Sequence, residues 1–436
     1  MLYFDERTGP DLGVTYPDVT PPTWYRDAKL GVFIHWGLFS IPAWAETHDG
    51  RVPVEDAFTR HRYAEWYGNT VRIQESSARA HHLARFGEGT TYEDLADHWQ
   101  LPSFRAPELI ASVLRSGARY VIPVTKHHDG FCLWDTSTTG FNAVRRGPGR
   151  DLIQELADAT RAAGARFGVY FSGALDWHVS DLPPIRSERD LFVLRRNDPS
   201  FARYAAAQLG ELIERFSPDV LWNDIEWPDS GKGGDDFGVA ALWRRYLTAV
   251  PHGVVNDRWG VPAHGHLTRE YLDVAEIQDQ VWESTRGLGQ SFGYNAAEDE
   301  SHSLSAPDLI RHLVDVVAKN GNLLINVGPR ADGSVPDVQQ RALDGLGQWL
   351  VVNGQAVFGS RPWLRAGEGT VRHTVVDGQV FAHVLDPQQG RLRLPPELCG
   401  TTSVNWLGGD EAPVHDGEAE IPEPLRNTAV AVARIG

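Results

Sequence analysis

The sequence is short of several features that define common classes of protein. Its 436 residues include two cysteines, Cys132 and Cys399, which lie far apart. Two distant cysteines cannot form the disulfide framework of a small secreted domain, and they fit a reducing compartment. No apolar stretch approaches the roughly 20 residues that a membrane-spanning helix needs. The sequence therefore argues against a disulfide-rich scaffold and against a membrane protein.

Basic residues are also scarce relative to acidic ones. Lys and Arg number 41 against 58 Asp and Glu, which gives a formal net charge of -17 at pH 7. Nucleic acid binding needs clustered cations that neutralise phosphates, so no nucleic acid partner is expected. The first residues, MLYFDERTGPDL, are acidic where a signal peptide has a basic segment and then an apolar run. We therefore expect a cytoplasmic protein. The acidic composition leaves open whether it forms a homo-oligomer.

What the sequence does contain is a pattern of short apolar runs alternating with amphipathic stretches. This alternation is typical of βα units around a parallel sheet, in which the strands are buried. The predicted strands are Leu30 to Ile34, Tyr120 to Val124, Arg166 to Phe171, Asp219 to Trp222, Gly253 to Val255, Ala275 to Ile277 and Asn322 to Val327. The predicted covering helices include Asp151 to Ala163, Phe201 to Phe216 and Pro307 to Lys319.

The pattern changes after about Gly359. Short alternating segments such as Gln379-Val-Phe-Ala-His-Val and Gly390-Arg-Leu-Arg-Leu are separated by Asp-Gly, Pro and Gly-Gly turns. Such segments indicate antiparallel strands. We predict an α/β fold with a TIM-like (β/α)-barrel catalytic domain over residues 1–358, followed by a small antiparallel β-sandwich domain over residues 359–436.

Chemically active side chains follow nearly every predicted strand. His35 follows the first, His127 and His128 follow the second, Asp224 ends the fourth and Arg258 follows the fifth. In a (β/α)-barrel the C-terminal ends of all strands meet at one rim, so these residues should form one site.

Tryptophans accompany these polar groups throughout. Sugars present flat C–H faces and hydroxyl edges, so sugar sites pair aromatic faces with fixed donors and acceptors. Any single tryptophan could equally belong to the core. The tryptophans in question are Trp36, Trp44, Trp66, Trp134, Trp222, Trp227, Trp259 and Trp282.

Retaining hydrolysis of a glycoside needs one carboxylate that attacks the anomeric carbon and a second carboxyl that protonates the leaving oxygen. Asp224 is the best nucleophile because it follows the apolar run Val220-Leu-Trp with only Asn223 between them. A helix cap or a structural salt bridge is the plainer alternative for this residue. Spacing does not choose the acid/base, for which Glu270 and Glu283 are equally good. The other carboxyl groups that compete are Glu65, Glu226 and Glu276.

Several ordered blocks resemble those of bacterial α-L-fucosidases of glycoside hydrolase family 29. They span roughly residues 20 to 360, so chance is a poor explanation. The blocks are WYRDAKLGVFIHWG from residue 24, YAEWY from 63, TKHHDGF from 125, FGVYFSG from 167, LWND from 221, VNDRWG from 255, WESTRGLGQSFGYN from 282 and NLLINVGP from 322.

The resemblance implies a retaining α-L-fucosidase that needs no metal or organic cofactor and acts on fucosylated oligosaccharides or glycosides. It implies Asp224 as the nucleophile and Glu270, in the segment LTREY, as the acid/base, with Glu283 as the runner-up. The implied contacts to sugar hydroxyls are His35, Glu65, Trp66, His127, His128, Tyr170, Trp222 and Arg258. Fucose carries a methyl group on C5, which needs an apolar niche, and the matching side chains are Phe33, Tyr63 and Phe292.

Two other functions compete with this one. His35, His127, His128 and Asp224 could hold a zinc-type ion, as in a metal-dependent amidohydrolase. A non-catalytic fucose-binding protein could keep the same pocket. The histidines of the His81-His82 and His264/His266 pairs fall in polar contexts, and we interpret them as solvent-facing.

Overall fold

The computed structural model describes residues 12–48 and 52–436. The N-terminal segment 1–11, on which most of the localisation prediction rests, lies outside these residues. Among the described residues, no helix combines the length and apolar character required to cross a bilayer. The α-helices are α1 Thr23–Ala28, α2 Tyr67–Thr70, α3 Ser77–Phe86, α4 Leu95–His98, α5 Ala106–Leu114, α6 Leu152–Ala162, α7 Glu188–Phe192, α8 Pro199–Phe216, α9 Val239–Ala249, α10 Ala306–Ala318 and α11 Asp337–Asn353.

Eight parallel strands form the first sheet. They are β1 Leu30–Ile34, β2 Tyr120–Lys126, β3 Arg166–Ser172, β4 Val220–Asp224, β5 Val254–Val255, β6 Leu267–Glu270, β7 Trp282–Gly287 and β8 Gly321–Val327. Their order is β5-β4-β3-β2-β1-β8-β7-β6. The two outermost strands approach each other, because the backbone N–H of His266 donates to the carbonyl oxygen of Val255 over 3.2 Å. The predicted barrel is therefore confirmed.

Six of the seven predicted barrel strands are confirmed, with ends shifted by up to two residues, and so are all three predicted helices. The strand predicted at Ala275 to Ile277 is wrong. That segment is an irregular connection in which Ala275 and Glu276 are exposed. The strand occurs earlier, over β6, where it pairs with β7 from Leu267 opposite Trp282 to Glu270 opposite Thr285. Its sequence, Leu-Thr-Arg-Glu, is short and polar and therefore lacks the apolar signature of a buried strand.

The helical layer is incomplete on one side of the barrel. Helices α6, α8, α9 and α10 connect consecutive strands elsewhere, whereas irregular chain connects β5 to β6 and β6 to β7. The strands themselves are almost wholly buried, since β1, β2, β4 and β8 have no exposed residue. The catalytic side chains of a barrel stand on such a rigid base.

The C-terminal strands form the antiparallel sheet that the alternating pattern predicts. They are β9 Arg361–Glu368, β10 Val371–Val376, β11 Gln379–Val384, β12 Arg391–Arg393, β13 Ser403–Trp406, β14 Glu411–His415, β15 Glu418–Glu420 and β16 Ala431–Ile435. Their order is β12-β15-β14-β13-β16-β11-β10-β9. Leu392 of β12 and Ala419 of β15 share a core with Ala382 and Ala433 from the middle of the sheet. The predicted boundary at 358/359 falls between α11 and β9.

The second sheet is fixed to the barrel by polar contacts as well as packing. Arg372 Nε donates to Asp315 Oδ1 over 2.6 Å, and the Trp349 indole N–H donates to the carbonyl oxygen of Val430 over 2.9 Å. The sheet lies against α10 and α11, which cover the outside of the barrel. It therefore supports the barrel wall from behind the helical layer.

Candidate active site

One pocket opens at the C-terminal ends of the barrel strands. Apart from the runner-up acid/base Glu283, every residue that we predicted to be catalytic or to bind substrate lines it. The lining residues are Phe33, His35, Tyr63, Glu65, Trp66, His127, His128, Tyr170, Trp222, Asp224, Ile225, Arg258, Glu270, Thr285 and Phe292. The barrel topology is the reason that residues from five strands (β1, β3, β4, β6 and β7) and from the connections after β1, β2, β4, β5 and β7 meet there.

Asp224 ends β4 and projects into the pocket as an almost buried carboxylate. Its Oδ2 accepts a hydrogen bond from the Tyr170 hydroxyl at 2.7 Å, and its Oδ1 accepts one from Arg258 Nη1 at 2.9 Å. Burial alone would raise the pKa of Asp224. The positive charge of Arg258, the nearby His128 and the Tyr170 hydrogen bond outweigh burial, and the pKa is lowered. Asp224 is therefore ionised at neutral pH.

Arg258 connects Asp224 to the second carboxyl group. While Nη1 binds Asp224, Nη2 donates to Glu270 Oε2 over 2.6 Å. The Tyr63 hydroxyl donates to Glu270 Oε1 over 3.0 Å. The guanidinium lies over the Trp222 ring, 5.0 Å from its centroid. One cation is thus shared by two carboxyl groups, each bound by a different terminal nitrogen.

Two of the pocket histidines have a defined tautomer. The Asn326 amide nitrogen donates to the Phe292 carbonyl, so its oxygen faces His35 and accepts from Nδ1 over 2.6 Å. The Ser172 hydroxyl donates to the Leu175 carbonyl and therefore accepts from His128 Nδ1 over 2.7 Å. Burial lowers the pKa of His35 to about 3 and that of His128 to about 4. Both rings are neutral and keep Nε2 as an acceptor.

His127 lies between these two rings and stacks on Tyr170. The ring planes of His127 and Tyr170 differ by 5°, with centroids 5.5 Å apart. Burial lowers the pKa of His127 well below its ordinary value. Its Nδ1 is buried and has no hydrogen-bond partner among the described residues. Both histidines of the pair therefore face the pocket, and neither is a core residue.

Glu65 is a third carboxyl group in the pocket. It is 2% exposed, and its Oε2 accepts from the Gly293 N–H at 2.7 Å and from the Ser291 hydroxyl at 3.1 Å. Burial raises the pKa of Glu65 to about 7. These bonds connect the loop that carries Tyr63 and Trp66 to the loop after β7.

Glu283, the runner-up for the acid/base, does not line the pocket. It is fully buried inside the barrel, on the far side of Trp222, which forms the floor of the pocket. Its carboxylate accepts hydrogen bonds from the Tyr25 hydroxyl at 2.6 Å, the Tyr120 hydroxyl at 2.8 Å and the Trp222 indole N–H at 3.0 Å. His266 Nε2 lies 3.4 Å away. Burial alone would raise the pKa of Glu283, but His266 and the two tyrosine hydroxyls lower it below its ordinary value. A leaving group in the pocket has no direct path to this carboxylate.

The interpretation of the two histidine pairs as solvent-facing is wrong for His82 and His266. His266 is fully buried and stacks on Tyr25 at a centroid distance of 4.9 Å. His82 is 4% exposed, with its Nε2 2.8 Å from the Thr90 carbonyl oxygen. Both residues have polar neighbours in the sequence, which favoured the interpretation as exposed. Their burial depends on contacts with residues outside their own segments, Tyr25 for His266 and Thr90 for His82.

Most of the tryptophans noted in the sequence belong to the core. Only Trp66 and Trp222 line the pocket. Trp44 stacks on His81, and the remaining five are almost completely buried: Trp36, Trp134, Trp227, Trp259 and Trp282. Of the eight tryptophans that suggested a sugar-binding site in the sequence, two therefore belong to the pocket.

Two pocket residues escaped the sequence reasoning, Ile225 and Thr285. Thr285 stands two residues after Glu283 on β7, and strand periodicity places its side chain one layer above Glu283 on the same face. Its hydroxyl is buried and has no hydrogen-bond partner among the described residues. That periodicity was a signal available in the sequence. Ile225 carries no such signal, since its position depends on an unusual backbone turn.

The metal-binding alternative has no support from the side-chain arrangement. The described ranges contain no group of three or more His, Cys, Asp and Glu side chains placed to hold an ion. His35, His127 and His128 are instead positioned by aromatic rings and neutral hydrogen-bond partners.

Comparison with known proteins identifies the family. Residues 17–355 match the model of the α-L-fucosidase family. The chain belongs to this family. Tissue α-L-fucosidase of Bos taurus is 32% identical over 403 residues, which cover 89% of this chain and 80% of the relative. The membership confirms the resemblance and makes the chain a glycoside hydrolase with α-L-fucosidase activity.

Solved structures of family members show the same architecture. The α-fucosidase of Thermotoga maritima in complex with fucose is 41% identical, with a TM-score of 0.86 over 96% of this chain and 97% of that chain. An α-L-fucosynthase of Thermotoga maritima in complex with α-L-Fuc-(1-2)-β-L-Fuc-N3 is also 41% identical, with a TM-score of 0.88 over the same shares of the two chains. Similarity over nearly the whole length includes the C-terminal sheet.

Replacement of Glu283 by Gln tests whether this carboxylate is structural. The amide of glutamine is uncharged and has one acceptor oxygen, so it cannot replace the carboxylate as acceptor of all three hydrogen bonds. We therefore expect the free energy of unfolding to fall by about 2–4 kcal/mol in urea titrations. Glu276→Gln, at an exposed carboxylate, should change it by less than about 0.5 kcal/mol. Unchanged stability together with a selective loss of activity on poor leaving groups would instead identify Glu283 as the acid/base.

Replacement of Glu65 by Gln should change how stability depends on pH. The raised pKa means that folded Glu65 keeps its proton between pH 4.5 and about 7, while the unfolded chain releases it. Stability from this group is therefore complete below pH 4.5 and is lost as the pH rises to about 7, a difference of roughly 3 kcal/mol. Urea unfolding at pH 5, 6, 7 and 8 should show the wild type losing this much relative to Glu65→Gln. A constant difference between the two proteins would contradict the assignment.

Proposed function

We propose that the chain hydrolyses terminal α-L-fucosides by double displacement with retention, with Asp224 as the nucleophile and Glu270 as the acid/base. The observation that carries this proposal is the bridging of both carboxyl groups by Arg258 inside one pocket. Retaining glycosidases need two carboxyl groups on either side of the scissile bond. Asp224 and Glu270 are bound by two nitrogens of one guanidinium in the same pocket, which suits this requirement.

The first step consumes the charge of Asp224. Its carboxylate attacks the anomeric carbon, the glycosidic C–O bond breaks, and Glu270 gives its proton to the departing oxygen. The product is a β-linked fucosyl ester of Asp224 together with an ionised Glu270. In the second step Glu270 takes a proton from water, which attacks the anomeric carbon and restores the Asp224 carboxylate.

Arg258 provides a reason for both steps to proceed in a buried pocket. Before the first step the negative charge beside it is on Asp224, and after that step it is on Glu270. The guanidinium therefore neutralises one carboxylate at every stage, without moving, at a site where an unpaired charge would cost several kcal/mol. Tyr63 and Tyr170 each donate a hydrogen bond to one of the two carboxyl groups.

Recognition of fucose follows from the neutral histidines and the aromatic wall. His35 and His128 keep Nε2 free to accept from sugar hydroxyls, and Glu65 offers a carboxyl group for the same purpose. Phe33, Tyr63 and Phe292 supply apolar surface for the C5 methyl group. A sugar with a hydroxymethyl group at this position would bury a hydroxyl without a partner. The Thermotoga maritima relative is described in complex with fucose, which supports the assignment of the pocket.

The Asp224→Gly variant tests the nucleophile. Without the carboxylate, hydrolysis of 4-nitrophenyl α-L-fucoside should fall to a trace, because no covalent intermediate forms. Added azide should then attack from the vacated side and release β-L-fucosyl azide, identified by its anomeric proton in NMR spectra. Absence of both rescue and glycosyl azide would contradict the role of Asp224. Wild-type enzyme in the same spectrometer should release α-L-fucose first.

The Glu270→Ala variant tests the acid/base and forms a matched pair with the nucleophile variant. We expect kcat/KM on an unactivated oligosaccharide to fall by about 10²–10⁴-fold, since protonation of the leaving oxygen is lost. The loss of kcat/KM on 2,4-dinitrophenyl α-L-fucoside should be much smaller, because that leaving group needs little protonation. Azide should attack the β-linked fucosyl enzyme and give α-L-fucosyl azide, the opposite anomer to that from Asp224→Gly. Equal losses on both substrates would exclude Glu270 from this role.

A further inference from the structure

The backbone directly after Asp224 has an unusual conformation. Ile225 and Glu226 both have positive φ angles, of 56° and 64°. Side-chain-bearing L-residues seldom adopt this left-handed region, and a β-branched residue such as Ile225 is particularly disfavoured there. Two such residues in succession persist only when their surroundings hold them. The turn places Ile225 in the pocket wall and determines the course of the chain directly after Asp224.

Three charged side chains hold this turn from outside the pocket, and we call Arg195, Glu226 and Lys232 the nucleophile clamp. Glu226 Oε2 accepts from Arg195 Nη2 at 2.7 Å and from Lys232 Nζ at 2.8 Å. The Arg195 side chain is 2% exposed and that of Lys232 is 8% exposed. Asp229 Oδ1 lies 2.8 Å from Lys232 Nζ and balances the remaining positive charge.

The clamp also holds the backbone of the turn. Arg195 Nη1 donates to the Ile225 carbonyl over 2.8 Å. The Asn223 amide donates to the Glu226 carbonyl over 3.0 Å and to the Arg258 carbonyl over 2.7 Å. The same turn is therefore connected to the loop that carries Arg258. The position of Asp224 relative to Arg258 depends on these contacts.

Two glycines make room for this arrangement. A Cβ atom at Gly173 would lie 2.3 Å from the Glu226 carbonyl oxygen. A Cβ atom at Gly260 would lie 2.8 Å from Lys232 Nζ and 2.9 Å from Glu226 Cδ. The approach at Gly173 is sterically forbidden for a larger residue, and a side chain at Gly260 would displace the ion-paired ends of Lys232 and Glu226. The fold thus keeps space for both the strained backbone and the ion pairs around it.

We infer that Arg195, Glu226 and Lys232 are positioning residues, which hold the strained turn so that the Asp224 carboxylate faces the anomeric carbon. None of the three lines the pocket, so none contacts the sugar. The inference rests on the proposed role of Asp224 as the nucleophile. Its consequence is that loss of the clamp lowers the rate of attack on the sugar more than it lowers the affinity for the sugar.

Three substitutions at Glu226 separate the clamp from the backbone strain. Glu226→Ala removes the carboxylate and leaves an L-residue at positive φ, so the turn should relax and kcat should fall by about tenfold or more. Glu226→Gly also removes the carboxylate but accepts positive φ without strain, so its kcat should lie well above that of Glu226→Ala. Glu226→Gln keeps an acceptor for Arg195 and should lie closest to the wild type. KM for 4-nitrophenyl α-L-fucoside and inhibition by fucose should change by less than about threefold in all three.

A matched pair of lysine variants provides the control for a general loss of stability. Lys319 has nearly the same environment as Lys232, since its Nζ lies 2.6 Å from Asp315 Oδ2 and its side chain is 9% exposed. It lies at the opposite end of the barrel, just before β8 begins. Lys232→Met and Lys319→Met should lower the melting temperature similarly, whereas only Lys232→Met should lower kcat.

The outcomes distinguish this inference from the proposed function. If the wild type hydrolyses the fucoside, and Glu226→Ala retains the wild-type kcat while losing only stability, the clamp is structural and the inference is wrong. Equal kcat values for Glu226→Ala and Glu226→Gly would also overturn it. If Asp224→Gly retains activity, the nucleophile assignment fails first, whatever the Glu226 variants do.

Discussion

The arrangement of the pocket depends on one interaction, the sharing of the Arg258 guanidinium between Asp224 and Glu270. Two carboxyl groups close together in a nearly closed pocket would repel each other if both were ionised, and one pKa would rise strongly. A cation between them allows the negative charge to reside on either group. Asp224 remains ionised although burial opposes it, because Arg258, His128 and the Tyr170 hydroxyl outweigh the loss of solvent and lower its pKa.

The barrel interior below the pocket solves a similar electrostatic problem in a different way. Glu283 has no cation of the Arg258 type within bonding distance among the described side chains, and it is stabilised by two tyrosine hydroxyls and an indole N–H. The bond from the Trp222 indole N–H to Glu283 fixes the orientation of Trp222, whose ring lies under Arg258. A buried carboxylate in the lower layer therefore orients the floor of the upper layer. The chemical difference between Asp224 and Glu283 is one of access, because both are buried carboxylates with satisfied oxygens and only Asp224 meets the pocket.

Sequence reasoning predicted the barrel correctly and placed Asp224 at its rim, because both depend on local patterns. Strands such as β1 and β8 are recognisable by their apolar runs, and Asp224 is the last residue of the similar strand β4. The acid/base remained open between Glu270 and Glu283, since β6 is short and polar and its register with β7 is a long-range property. Glu283 and Thr285 lie on the same face of β7, and the height of that strand in the barrel places Thr285 in the pocket and Glu283 below it. Burial of His266 was missed because its neighbours, Tyr25 of α1 and Glu283 of β7, come from distant parts of the sequence.

The two sides of the barrel hold their carboxyl groups by different means. Tyr271, directly after Glu270, has a φ angle of 50°, so each proposed catalytic carboxyl group is followed by a left-handed residue with a side chain. On the side of β4, where helices cover the strands, ion pairs from Arg195 and Lys232 hold the turn. On the side of β6, where the connections are irregular, the Tyr271 hydroxyl accepts from the Gly287 N–H at 2.9 Å and lies 3.2 Å from the Gly289 carbonyl oxygen. Hydrogen bonds between the Tyr271 hydroxyl and the backbone hold this turn without a covering helix. A site with one irregular wall can therefore keep both carboxyl groups within hydrogen-bond distance of Arg258.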